Sequence, residues 1–145
     1  MKQSLIFVVA GMTLLFSTLA LAKPSAEQML AMKHANPMPN LMMMVIMQPE
    51  TLDLNDEQKN ALKAWRKQAQ PKMMEMVKTV IKLEKQLHEA ALAGAPGSVI
   101  QEITSQMLNV RGAIIKNKLA CRNHMVQVIG VEKMKKLIEL YKAKG

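Results

Sequence analysis

Cys121, His124 and Met125 set a thiol, an imidazole and a thioether within about one helical turn of sequence. That spacing would put the three groups on adjoining faces of one helix. Together they suit a soft ion such as Cu(I), or Zn(II) if a carboxylate or water completed the shell. The competing reading is a packed cysteine beside a histidine bonded to a neighbouring helix. A single cysteine cannot close an intramolecular bridge, so Cys121 is a buried thiol, an intermolecular bridge or a ligand. His34 with Met38 is a second pair of the same kind, and His88, near Glu84 and Glu89, reads as part of an exposed helix pair. No Ser-His-Asp order, nucleophile elbow, phosphate loop or recognisable carboxylate pair is present. No enzyme is expected, and no cofactor is required.

A second group of residues could do binding rather than chemistry. Lys59, Lys63, Arg66 and Lys67, then Lys78, Lys82 and Lys85, recur three or four apart. Such rows are ordinarily solvated helix faces. Their alternative role is a guest surface on which Lys63, Arg66 and Lys67 flank Met42, Met43, Met44, Ile46, Met47, Met73, Met74 and Met76. Methionine fits such a surface because its flexible, polarisable thioether adapts to many shapes; the alternative for these methionines is ordinary core. The formal charge of +9 would first suggest nucleic acid. An export signal, the lack of zinc spacing and an aromatic content of 3% argue against it. Acidic clients, anionic headgroups and cell-wall polymers remain as partners.

These side chains must be positioned by helices. Asn55 is placed to cap a helix, with Gln58 three residues on to close a capping box, and Asp56 and Glu57 at the positive end of the dipole. Leu62, Trp65, Ala69, Met73, Met76, Val80, Leu83 and Leu87 then form an apolar stripe down a helix of about ten turns. Gly94-Ala95-Pro96-Gly97 is a stop and turn, and Ser98 repeats the cap logic. Ile100, Ile103, Met107, Val110, Ile114, Asn117, Cys121, His124 and Val128 carry a matching stripe on the return helix. Folding about Ala95-Pro96 sets Cys121 roughly opposite Gln70 and His124 roughly opposite Lys67, with Met73 and Met74 one turn away. No stretch alternates with period two, so the class is all-α, organised as one long antiparallel helical hairpin.

Around the hairpin, Lys2 and the apolar run Leu5 to Leu21, ending Ala20-Leu21-Ala22, read as a cleavable signal peptide. An uncleaved membrane anchor is the alternative. The chain then divides into a signal at 1–22, a Met/Pro-rich arm at 23–50 and a hairpin domain at 51–145. Ser25 to Gln28 is a further capping box opening a short helix; Pro37 and Pro39 break it, and Asn40 caps an all-apolar turn through Met47. That turn must pack on the hairpin or on a second subunit. Pro71 deletes a ladder bond inside the long helix, which predicts a bend. Gly130 ends or swivels the return helix before a last short helix marked by Met134, Leu137, Ile138 and Tyr141.

Leu54-Asn55-Asp56-Glu57-Gln58 resembles the Leu-Thr-x-x-Gln box of the Spy/CpxP family of small periplasmic proteins, with Asn where the family has Thr. The second box falls on Ile129-Gly130-Val131-Glu132-Lys133, where Gly replaces Thr and Lys replaces Gln. The likeness in the order of elements runs from Leu52 to Lys142. It implies a homodimeric, ATP-independent chaperone of the envelope stress response, binding unfolded or misfolded periplasmic proteins on a cradle. Relatives that sense or resist metals imply an alternative, a Cu-, Zn- or Ni-binding accessory protein. Others imply a regulatory partner of an envelope-stress sensor kinase.

Overall fold

The computed structural model describes residues 26–143, apart from the side chains of residues 27, 28, 31 and 32. The expected signal peptide and the expected Ser25 cap lie outside the described residues. Helix α1 (Ala26–Ala35) leads to α2 (Leu41–Met47), a 3-10 turn (Pro49–Leu52), α3 (Asp56–Leu92) and α4 (Gly97–Lys142). The chain is all-α, and α3 and α4 lie against each other as the expected hairpin. No helix among the described residues is long and apolar enough to cross a membrane.

Both ends of α3 obey local chemistry. At its start, Asn55 Oδ1 accepts from the Gln58 N–H at 2.8 Å and Gln58 Oε1 accepts from the Asn55 N–H at 3.3 Å. Two donors that a helix start leaves orphaned are thereby satisfied. At its end, Gly94 takes a left-handed φ of 65°. The Ala95 N–H reaches the Ala90 carbonyl and the Gly94 N–H the Ala91 carbonyl, the paired bonds of a Schellman stop. The expected Ser98 cap is not used: α4 starts at Gly97, and the Pro96 carbonyl accepts from the N–H groups of Val99 and Ile100. Pro96 already sets the entry geometry, leaving Ser98 inside the first turn. Pro71 lies within α3, which continues as helix on both sides of it.

Packing is uneven along the hairpin. At the open end Leu41, Met42, Val45, Leu52, Leu54, Leu62, Met125, Ile129, Met134 and Leu137 form one buried cluster. A smaller cluster of Ala35, Val77, Val80 and Ile114 sits further along. From residue 84 to residue 113, around the turn, no side chain is buried. The all-apolar α2 is therefore accommodated by the hairpin, with Leu41, Met42 and Val45 inward and Ile46 and Met47 in water.

The arm is also tied down by charge. His34 Nε2 lies 3.0 Å from Glu84 Oε1, the Arg111 guanidinium binds the same carboxylate, and Arg111 donates to the His34 carbonyl at 3.3 Å. Glu84 thus joins three helices, and His88, the histidine expected beside it, is left exposed. The hairpin places Glu84 level with Arg111, and a guanidinium is the stronger partner for a carboxylate.

Candidate functional site

Two neighbouring structures at the open end gather the two boxes and the ligand candidates around Cys121. The first joins the two boxes. Gly130 adopts φ 79° and ψ 166°, which breaks α4 and strips its preceding carbonyls of their helical donors. Gln58 Nε2 donates to one of them, the Val128 carbonyl, at 3.0 Å. Lys133 Nζ donates to Gln58 Oε1 at 3.1 Å and to the Asp53 carbonyl at 2.5 Å. Asp53 itself is held at a left-handed φ of 47°, a conformation aspartate tolerates better than most residues. Gly130 has no side chain with which to cap, and a lysine cannot accept, so the second box closes no capping pair of its own. Its lysine reaches across to the first box instead.

Gln58 therefore serves a helix start and a helix end at once. Gln58→Ala should lower stability by about 1–3 kcal/mol, the range for losing a cap and leaving partly buried groups unpaired. Urea denaturation measures this, and the loss should exceed that from Gln68→Ala on the exposed side of α3.

The second structure surrounds Cys121. Trp65 stacks on His124 with ring centroids 4.3 Å apart and planes 16° apart. His124 accordingly faces Trp65, not Lys67 as the sequence suggested. Trp65 Nε1 and His124 Nε2 are both buried without a hydrogen-bond partner of ordinary geometry. Burial pushes the half-buried Cys121 thiol above its ordinary pKa, opposed by the Lys118 charge and the Trp65 N–H beside it. Burial also lowers the Lys118 pKa, opposed by Cys121. For both groups the loss of water outweighs the neighbour.

A cavity of about 30 Å³ opens between the arm and α4 beside this thiol, lined by Met38, Met42, Cys121 and Met125 together with Lys118 and Arg122. Asn36 fixes Met38 at its rim through two hydrogen bonds of 3.2 Å to the Met38 backbone. Asn40, expected to cap α2, instead accepts from Lys118 Nζ at 3.2 Å; a charged donor is the stronger partner. Of the ligand set read from the sequence, Cys121 and Met125 line the cavity and His124 does not. Met73 packs on the Val77, Val80 and Ile114 cluster and does not line the cavity. Among the described residues no three His, Cys, Asp or Glu side chains are grouped to hold a metal ion. Beside Cys121 the lining offers three thioethers and the Asn40 amide oxygen, the latter engaged by Lys118.

Comparison with protein families, curated proteins and solved structures found no match. The chemistry of these two structures rests on their geometry alone.

The residues read as a guest surface are dispersed. Met42, at 7% exposure, belongs to the core and is not accessible to a guest. Met43, Met44, Met73, Met74 and Met76 are half-buried, as is Arg66, while Lys63 and Lys67 are exposed. Met47 is 70% exposed and Ile46 is also in water. Leu108, Ile115 and Leu119, exposed on α4, were missed because a stripe pointing away from the hairpin looks in sequence like part of a wide core face.

Proposed function

We propose that this chain is an ATP-independent, chaperone-like protein of the periplasm that binds unfolded or stress-exposed proteins and works as a homodimer. The observation that carries this reading is an excess of unpaired cations, interleaved with exposed apolar side chains, on facing segments of α3 and α4. No acidic residue occurs between Glu57 and Glu75 or between Glu102 and Glu132. The Trp65–His124 stack sets these segments side by side. Lys63, Arg66, Lys67, Lys72, Lys116, Lys118 and Arg122 form no ion pair among the described residues. The exposed Ile115 and Leu119 are interleaved with three of these cations on α4. Such a surface attracts acidic segments by charge and holds them by apolar contact. The unburied apolar side chains also support a dimer, and the resemblance of the two boxes to the Spy/CpxP pattern points to the same class.

The test is light scattering of an acidic client induced to aggregate by reduction. Near-stoichiometric chain should suppress scattering without ATP, and the Lys63→Glu/Lys67→Glu/Arg122→Glu variant should require severalfold more protein. Raising the ionic strength to about 1 M, where the Debye length falls to about 3 Å, should weaken capture similarly. No suppression by the unaltered chain over a range of ratios would remove the reading.

A further inference from the structure

We propose that Cys121, Met38, Met42 and Met125 form a binding site for one soft monovalent metal ion, Cu(I), between the arm and α4. This inference does not depend on client binding. The sequence suggested a ligand trio on one helix; the structure replaces its imidazole with two thioethers from a different segment. The four sulfur-bearing residues surround one cavity of about 30 Å³, space for a single atom-sized guest. Met42 and Met125 are buried, and Cys121 and Met38 half-buried, so bulk water competes poorly for an ion held there.

Two arguments select the metal. Thioethers and thiolate are soft donors, which favour Cu(I), whereas Mg(II), Ca(II) and Mn(II) require several oxygen ligands, and the one side-chain oxygen in this lining, that of Asn40, is already taken by Lys118. Charge gives the second argument. One thiolate and three neutral thioethers balance a single positive charge. A divalent ion would leave an uncompensated charge beside the Lys118 and Arg122 cations in partly water-excluded surroundings. On binding, the Cys121 S–H bond breaks, its proton passes to solvent and an S–Cu bond forms, with no change in the oxidation state of copper.

The ligands come in two pairs, each four residues apart. Cys121 and Met125 share a face of α4, while Met38 precedes α2 and Met42 lies in its first turn. A bound ion would join the arm to the hairpin, and linkage would raise thermal stability with the free-ion concentration.

The experiment titrates the purified full chain with Cu(I), kept reduced by ascorbate, in competition with a chromophoric Cu(I) chelator. Met38→Leu, Met42→Leu and Met125→Leu delete a thioether while nearly preserving volume. Cys121→Ser deletes the thiol. The unaltered chain should bind one equivalent and melt at a higher temperature with Cu(I) than without. Each substitution should weaken affinity by at least about tenfold, since even changes to groups behind a metal's ligands cost 10–100-fold. Met47→Leu, at an exposed methionine, should bind as tightly as the unaltered chain, and Zn(II) should produce no thermal shift. Absence of binding by the unaltered chain would overturn the site. So would affinity unchanged in the three leucine variants, which stand as a test even if Cys121→Ser does not fold.

Discussion

Ile114→Ala should destabilise the chain by about 2–5 kcal/mol, the range for emptying a buried isoleucine site, whereas Ile115→Ala should cost less than about 1 kcal/mol. The two isoleucines are adjacent and chemically identical, yet Ile114 is 0% exposed and Ile115 41%. Ile114 packs with Ala35, Val77 and Val80 in a cluster of four buried residues, so few neighbours can move in to refill the space. At Ile115 a large part of the side chain already faces water, and the better helix propensity of alanine offsets part of the loss. A loss at Ile114 is a large fraction of the roughly 5–15 kcal/mol that holds an ordinary domain together. Urea unfolding followed by circular dichroism measures both variants. Equal midpoints would mean that the hairpin does not pack in this register.

Gly130→Ala should also destabilise, by at least about 1–3 kcal/mol, and Gly112→Ala should do the opposite. Gly130 occupies φ 79° and ψ 166°, a region that essentially only glycine enters. A Cβ there meets no atom within 4 Å, so the penalty comes from the backbone rather than from crowding. If the chain escapes the strain by continuing as regular helix, residues 131–142 swing away. That movement withdraws the buried Met134 and Leu137 from the open-end cluster and Lys133 from Gln58. Either response lowers the unfolding free energy. Gly112 lies inside α4 with no positive φ and an equally empty site for Cβ. Alanine there should stabilise by about 0.5–1 kcal/mol. Denaturation of the pair gives changes of opposite sign, and a loss at both positions would contradict the backbone account.

What the sequence made legible was local. The Asn55–Gln58 capping box, the stop at Gly94 and the interruption at Gly130 each depend on a few consecutive residues. The hairpin followed because two apolar stripes joined by a short turn have little choice but to meet. Register was less legible: periodicity says which face of a helix points inward, not which residues stand level. His124 consequently came to rest on Trp65 instead of Lys67. Glu84 took His34 and Arg111, separated from it by 50 and 27 residues, in preference to the nearby His88. The candidate site suffered most, since its cavity combines the arm with α4. In sequence Met38 pairs only with His34, whereas the structure sets it against Cys121 and Met125.

Because nothing between residues 84 and 113 is buried, the two rods near the turn are held by the Glu84–Arg111 pair at its base, their own helical hydrogen bonds and the loop that joins them. The molecule is gripped at one end and only looped shut at the other: opening the turn end locally uncovers no buried side chain and costs little free energy while the Gln58 junction stays shut. Such opening leaves every part of the clamped end folded.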